Sequence, residues 1–218
     1  MKKEITNEMK NVEKKDTTID TKSYNKLIKY ESKTKITFTN IVFIFFVSAV
    51  LGWCIEVGYV YLTNGVLVNR GMSYGPYCSI YGFGSLIIYL MFHNLERKKG
   101  NIPYVFFVSA IAMGAFELLC GLGFKYLLGI EMWNYDGHFL EIYHYTTVPI
   151  LISWGIVGTV FVFLVHPVIL KLISIIPNNI SKSITTIILV VYFIDFVFST
   201  FNIHLNPEVL EKLVNPNL

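Results

Sequence analysis

The 218-residue sequence is 54% apolar and 16% aromatic, with a charged fraction of 15%, against about a quarter in soluble domains. Residues 1–40 hold ten lysines and six acidic side chains, so positions 41–218 carry only 8 basic and 9 acidic side chains. So few charges exclude a water-soluble fold, and the lack of a basic stripe beyond position 40 excludes nucleic acid as a partner. The composition predicts an all-α integral membrane protein whose partner is the lipid bilayer.

Residues 1–40 form a lysine-rich polar segment that is nearly free of aromatic side chains. Such a composition buries too little apolar surface to fold, and it predicts a cytoplasmic tail before a transmembrane domain of residues 41–218. No signal peptide is expected, because the first apolar run begins only after this tail and lacks a small-residue cleavage site.

Five stretches are long and apolar enough to span a membrane. A hydrocarbon core about 30 Å thick requires about 20 apolar helical residues. The five predicted spans are residues 41–62, 74–92, 104–128, 148–170 and 184–205. Proline lies at the start of the second, third and fourth of them, where its fixed φ suits the first helical turn.

Loop charges predict the orientation of the spans, since cytoplasmic loops of membrane proteins are enriched in lysine and arginine. The tail and the 93–103 loop, which holds Arg97, Lys98 and Lys99, belong inside, as does the 171–183 loop. The 129–147 loop has acidic residues but no lysine or arginine, and so belongs outside. Five crossings at the cell membrane then leave the N-terminus in the cytoplasm and the C-terminus outside.

The 129–147 loop is also rich in aromatic residues. Aromatic belts form at membrane surfaces, which favours a short helix on the outer surface, while a binding cap is the alternative. Four residues of this loop have a spacing that would suit a metal ion on such a helix: Asp136, His138, Glu141 and His144. Surface polar residues explain the same pattern better, so neither a metal nor a cofactor is expected.

An internal similarity relates the first two spans to the next two. A Val-Ser-Ala triplet occurs at 47–49 and again at 108–110, each time nine positions before a glutamate, Glu56 or Glu117. In the spans that follow, Pro76 with Tyr81-Gly82 has the same spacing as Pro149 with Trp154-Gly155. The pattern predicts a parallel two-helix repeat, spans 1–2 and spans 3–4, with span five outside it; in transporters the site lies at a repeat interface.

Glu56 and Glu117 are the main candidates for chemistry. A carboxylate near the centre of a helix costs about 2.5–3.5 kcal/mol on insertion scales, so each must face protein or water rather than lipid. Small residues recur on the same helix faces, such as Gly52 before Glu56 and Gly121 after Glu117, and they allow close helix packing. Two readings remain open: a structural hydrogen bond between helices, or contact with a substrate or ion.

Four further residues complete the set of candidate substrate- or ion-contact residues. Arg70 offers a planar fork for a carboxylate, from Glu56, Glu117 or a ligand. Asn69 and Trp53 lie beside Arg70 and Glu56 in the sequence. Asp195 sits in the apolar fifth span without a neighbour in sequence to pair with, so it should face the bundle.

The motifs around these residues resemble a known family. They are Gly52-Trp53-Cys54-Ile55-Glu56, Asn69-Arg70-Gly71, the run from Gly75-Pro76 through Ile80-Tyr81-Gly82-Phe83-Gly84, and the later Trp133-Asn134-Tyr135 and Trp154-Gly155. Together they are similar to the putative ABC-transporter type IV (CmpB-like) permease family over residues 41–171. Two positions depart from the family pattern: Ser79 replaces an expected proline, and Asn134 replaces an expected aspartate.

The resemblance implies a permease-like subunit of a transporter that works with a separate ATPase or as a homo-oligomer. The sequence contains no phosphate-binding GxxxxGK[ST] loop, so the chain is not itself the ATPase. HExxH and GxSxG motifs are also absent, which argues against an enzyme of known class. The alternatives are a membrane-embedded enzyme with an outward-facing Glu/Arg pocket and a non-catalytic scaffold or sensor.

Overall fold

A computed structural model describes residues 36–129 and 131–205, without the side chains of 128 and 202–205. The predicted tail of residues 1–40 therefore lies almost entirely outside the described residues, as do residues 206–218. The described chain is mostly helical. Its helices are α1 (Phe38–Asn64), α2 (Ser79–Phe92), α3 (Ile102–Gly123), α4 (Val148–Val160), α5 (His166–Ile175) and α6 (Asn178–Leu205). The strands β1 (Glu141–Ile142) and β2 (Thr146–Thr147) form an antiparallel pair.

Short turns extend these helices. A 3-10 turn at Lys99–Asn101 leads into α3, and a π-helical turn at Phe124–Leu128 follows it. A second π-helical turn, Phe161–Val165, joins α4 to α5 in one continuous run. Four helical runs of the described chain are long and apolar enough to cross a membrane: Phe38–Asn64, Lys99–Leu127, Val148–Ile175 and Asn178–Phe201. The prediction of a multi-pass helical membrane protein is thus confirmed.

The helix ends follow from local chemistry. The Thr37 side chain accepts a hydrogen bond from the Asn40 amide and so caps the start of α1, and Gly65 ends that helix at a φ of 72°. Thr147 caps α4 in the same way, through the Ile150 amide. Threonine oxygens satisfy amides that a helix start leaves without partners, and glycine adopts a positive φ without strain.

The predicted start of the second span is wrong. The sequence predicts helix from about residue 74, but α2 begins at Ser79 and has 14 residues, a length of about 21 Å at 1.5 Å per residue. Pro76 disfavours helical backbone at Gly75. The Cys78 amide instead donates to the Ala49 carbonyl of α1 at 2.9 Å, so this part of the chain is non-helical and held by neighbouring elements.

Glycines set the spacing within two antiparallel helix pairs. A Cβ on Gly82 of α2 would lie 2.7 Å from the Phe45 ring of α1. A Cβ on Gly155 of α4 would lie 2.7 Å from the Phe106 ring of α3. Since no side chain fits at either position, the backbone of α2 approaches α1, and that of α4 approaches α3, as closely as a phenylalanine ring allows.

The apolar core lies towards one end of the bundle, which we call the Arg97 end because it carries the 93–101 loop. Ile44 of α1 and Val105 of α3 are completely buried there, with Tyr89 and Phe92 of α2 around them. The opposite end carries the 65–78 and 131–147 loops, and we call it the Arg70 end. The polar residues of interest all lie between the core and the Arg70 end, apart from Arg97 itself and its neighbours.

The sequence places Arg97 in an exposed loop, but in the structure the Arg97 side chain is only 6% exposed. Its Nε donates to the Val162 carbonyl at 2.7 Å, and its Nη2 lies 2.8 Å from His166 Nδ1. In the π-helical turn the His166 amide donates to the Phe161 carbonyl rather than to the Val162 carbonyl. The next amide would be that of residue 167, but proline has none, so the Arg97 guanidinium supplies the donor that the Val162 carbonyl lacks.

The expected surface helix in the 129–147 loop is wrong as well. The loop instead folds as the β1–β2 hairpin, in which Glu141 pairs with Thr147 and Ile142 with Thr146. Its turn contains two non-glycine residues with positive φ, Tyr143 and His144, and a third such residue, Leu140, directly precedes β1. The Trp133 indole donates to the Tyr145 carbonyl at 3.0 Å, so the segment before the hairpin packs along it.

Candidate functional site

Glu56 lies near the Arg70 end of α1 and has two neighbours of different character. The Tyr81 hydroxyl of α2 donates to Glu56 Oε1 at 2.6 Å. Arg70 Nε lies 3.9 Å from Glu56 Oε2, with both side chains about 30% exposed. The pairing is one of those that the sequence left open for Arg70. At this exposure the ion pair contributes at most about 1 kcal/mol, so Glu56 is held mainly by Tyr81.

Glu117 of α3 is far more enclosed, with 5% of its surface exposed. The Trp154 indole of α4 donates to its Oε2 at 3.1 Å, and the Tyr135 hydroxyl from the loop approaches its Oε1 at 3.4 Å. Burial, and then the negative charge of Glu117, raises the pKa of the Tyr135 phenol. Tyr135 therefore stays protonated at neutral pH and can donate to the carboxylate.

The two glutamates are connected through the aromatic side chains that hold them. The Tyr81 ring packs against the Trp154 ring, with centroids 5.4 Å apart and planes tilted by 48°. The chain of contacts thus runs from Glu56 through Tyr81 and Trp154 to Glu117. We call this group, with Arg70 and Tyr135, the glutamate cluster. It combines two carboxylates, one guanidinium and three aromatic rings within a bundle of apolar helices.

Trp53 and Asn69 brace the loop that carries Arg70. The Trp53 indole donates to Asn69 Oδ1 at 2.6 Å. The Asn69 amide in turn donates to the carbonyls of Ser73 and Tyr74, at 3.2 and 3.3 Å. These two candidate residues therefore position the Arg70 loop against α1, next to the glutamate cluster.

Asp195 of α6 lies in a separate group. Its carboxylate accepts hydrogen bonds from the Tyr74 amide at 3.1 Å, the Gly75 amide at 3.0 Å and the hydroxyls of Tyr77 and Ser199. The carboxylate thus accepts hydrogen bonds from the segment that precedes α2. The structure does not bring Asp195 together with Glu56 and Glu117.

Replacing Asp195 by alanine should lower the free energy of unfolding by about 2 kcal/mol, because the Gly75 amide and the Tyr77 hydroxyl lose their acceptor and the Tyr74 amide keeps only the Ser199 oxygen. Replacing Ser199, which also contacts this group, should change it by less than about 1 kcal/mol. Thermal denaturation of the purified variants in detergent measures both values. Equal midpoints for Asp195→Ala and Ser199→Ala would contradict the assigned role of the carboxylate.

Three of the four loop residues with metal-ligand spacing come together in the β1–β2 hairpin. His144 Nδ1 lies 3.1 Å from Asp136 Oδ1 and 3.3 Å from Glu141 Oε1. The ligand atoms of the three residues lie within 4.8 Å of one another, on an exposed surface. His138 instead approaches the Asp136 carbonyl. These contacts place the His144 ring between two carboxylates on the exposed surface of the hairpin.

Sequence reasoning missed the three aromatic members of the glutamate cluster as site residues. The sequence singled out Tyr81 and Trp154 as anchors of the internal similarity and Tyr135 as part of an aromatic loop, and all three as parts of the family motifs, but none of them as a site residue. The signal was nevertheless in the sequence. Residues that occupy matching places beside two matching glutamates are the natural partners of those glutamates.

Comparison with known proteins identifies a family. The family described as "Putative ABC-transporter type IV" matches residues 43–200, which covers the described helices almost completely. No curated protein matches the chain, and no solved structure matches it. The family match extends beyond the span over which the sequence motifs resemble this family, and includes most of α6. The chain is therefore a multi-pass membrane protein of the ABC-transporter type IV (CmpB-like) family.

Proposed function

We propose that the protein is the permease-like membrane subunit of a transporter, and that the glutamate cluster contacts the transported substrate or ion. One observation carries the proposal: Glu56 and Glu117, from different helix pairs, are joined through the packed rings of Tyr81 and Trp154. Charged residues inside a membrane are costly and mark substrate or ion pathways. A separate ATPase or another partner, or a second copy of the chain, completes the transporter.

The proposed architecture has five spans, of which the second consists of the non-helical segment 74–78 and the short α2. Non-helical backbone at membrane depth is tolerated where protein satisfies its polar groups. Asp195 and the Ala49 carbonyl do so for Tyr74, Gly75 and Cys78. Discontinuous spans of this kind are common next to transporter sites.

The proposed repeat relates α1 and α2 to α3 and α4. Two pairs of equivalent contacts support it. The Tyr81–Glu56 hydrogen bond corresponds to Trp154–Glu117, and the contact of Gly82 with Phe45 corresponds to that of Gly155 with Phe106. Each correspondence joins positions that the internal similarity of the sequence also pairs. The glutamate cluster then lies at the interface of the two repeats, with α6 outside the duplication.

The proposed orientation places the Arg97 end in the cytoplasm and the Arg70 end outside. Burial removes Arg97 from the loop charges, but the exposed Lys98, Lys99, Lys171 and Lys182 still lie towards the Arg97 end. The lysine-rich tail before α1 would add to this charge, with the C-terminus outside. A cysteine at position 99 (Lys99→Cys) should add no labelling by a membrane-impermeant thiol reagent, beyond that of native cysteines such as the exposed Cys54, until cells are opened. Added labelling in intact cells would show the opposite orientation.

The transport proposal is tested with Glu56→Gln, Glu117→Gln and the double variant. We expect each single variant to keep at most about a tenth of the solute flux of the native protein while folding normally, since a lost charge contact of about 1.4 kcal/mol is worth tenfold. Glu96→Gln, at an exposed position near the opposite end, is the matched control. Uptake is measured in cells and in vesicles that hold the protein with the proteins that co-purify with it.

The scaffold reading is the second candidate, because both carboxylate oxygens of Glu117 already accept hydrogen bonds, one from Trp154 of α4 and one from Tyr135 of the 131–147 loop. A scaffold predicts that the glutamine variants misassemble, with no change in flux per folded molecule. Normal folding with loss of flux supports the permease proposal, and unchanged flux in both glutamine variants overturns the proposed role of the glutamate cluster in transport. A changed product without flux would indicate a membrane-embedded enzyme instead.

A further inference from the structure

The charges of the glutamate cluster do not balance. Glu56 has Arg70 as a cationic neighbour, whereas Glu117 is approached by the neutral donors of Trp154 and Tyr135. In the part of the chain that the structure describes, no lysine or arginine forms an ion pair with Glu117. A buried carboxylate without a counter-charge is costly, so this position has a place for one positive charge.

A second polar group lies beside the same carboxylate. The Thr146 hydroxyl of β2 is 2% exposed and is directed at Glu117, to which it can donate, while its oxygen accepts no hydrogen bond from any described residue. Such a buried, unsatisfied oxygen next to an unbalanced charge indicates a group that can donate to both. The Trp154 and Tyr135 side chains present an N–H and an O–H edge to the same carboxylate, so their rings border this position.

We propose that the glutamate cluster binds an organic cation that carries an ammonium N–H, with Glu117 as its counter-ion and Thr146 as a second acceptor. This inference rests on the proposed function of the cluster and names the chemical class of its substrate. The ammonium would donate to Glu117 and to the Thr146 oxygen while its alkyl part contacts the rings.

The surrounding groups select against other cations. Hard metal ions such as Mg²⁺ and Ca²⁺ require about six to eight oxygen ligands, but Trp154 and Tyr135 present hydrogen-bond donors to the carboxylate. A quaternary ammonium has no N–H for Thr146. Primary and secondary ammonium groups meet both requirements, so methylammonium is the smallest suitable probe and tetramethylammonium is its matched control.

The test uses the purified full-length protein in detergent. Because the Trp154 indole donates to Glu117, tryptophan fluorescence reports on the site directly, and calorimetry gives the affinity independently. Titration with methylammonium chloride, at constant ionic strength and pH, should give a saturable response. Tetramethylammonium and potassium should bind at least about tenfold more weakly, the factor that one charge-assisted hydrogen bond provides.

Two variants test whether the response to methylammonium comes from Glu117 and Thr146. Glu117→Gln should weaken methylammonium binding at least about tenfold, Thr146→Val about threefold to tenfold, and Glu96→Gln not at all. Thr146→Val replaces a hydroxyl by a methyl of the same shape, so it keeps the test decisive if Glu117→Gln fails to fold. No saturable response, an equal response in Glu117→Gln, or a response to pH alone would overturn the inference, the last by showing that a proton neutralises Glu117.

The binding assay needs no transport, so the two proposals can fail separately. Specific methylammonium binding without flux in vesicles would leave the inference standing and overturn the permease. Glutamate-dependent flux of a solute without an ammonium group, in a protein that does not bind methylammonium, would support the permease and overturn the inference.

Discussion

Replacing Glu117 by leucine should lower the free energy of unfolding by about 3 kcal/mol. The Trp154 indole and the Tyr135 hydroxyl would then remain buried next to an apolar side chain, and each unsatisfied buried donor costs about 1–3 kcal/mol. Glu117→Gln keeps one acceptor oxygen and the same shape, so it should cost about 1 kcal/mol. Denaturation of the purified variants in detergent, followed by near-UV circular dichroism, measures the difference.

Glu96 provides the matched control, because it is an exposed glutamate whose contact is an exposed lysine. Glu96→Leu should change the free energy of unfolding by no more than about 0.5 kcal/mol. If the leucine variants at 96 and 117 unfolded at the same midpoint, the hydrogen bonds to Glu117 would not contribute to the stability of the bundle.

Arg97→Leu should also destabilise the protein by about 3 kcal/mol. The substitution leaves the Val162 carbonyl and His166 Nδ1 without the guanidinium that donates to both, and two buried acceptors become unsatisfied. The exposed neighbour Lys98 is the control, and Lys98→Leu should have an effect below about 0.5 kcal/mol. The measurement is the same denaturation in detergent.

A second substitution tests the cause of the Arg97 effect. Pro167→Ala restores an amide that can donate to the Val162 carbonyl, so the effect of Arg97→Leu should fall by about 1 kcal/mol in that background. A double-mutant cycle with no coupling would show that the contact of Arg97 with the Val162 carbonyl does not contribute to the stability of the bundle.

The sequence predicted the parts of the fold that depend on hydrophobicity and chain length. Helices long enough to span a membrane occur at four of the five expected places, because about 20 apolar residues leave few alternatives to a helix in lipid. The late start of α2 could not be predicted, since it depends on the Ala49 carbonyl and on Asp195, which is 120 residues away from Gly75 in sequence. The hairpin in the 131–147 segment likewise depends on paired backbone rather than on periodicity.

The candidate site, like the fold, could be predicted only where it does not depend on tertiary contacts. The free-energy cost of a carboxylate in lipid identified Glu56 and Glu117, because such a group needs a partner whatever the fold. They could not identify the partners, since the Tyr81 and Trp154 contacts depend on how closely Gly82 and Gly155 let the helices approach. Arg97 was misjudged for a related reason: the lack of an amide at Pro167 creates an acceptor at Val162, but only the tertiary fold brings Arg97 to it.

The dependence of the α2 start on Asp195 has a consequence for biogenesis. A ribosome releases the first two spans into the membrane long before it has made residue 195, so the amides of Tyr74 and Gly75 enter the bilayer region without their final acceptor. The first helix pair must remain incompletely assembled until α6 has been synthesised and inserted. A nascent chain that stalls before α6 should therefore be a better substrate for membrane quality-control proteases than one that stalls after it.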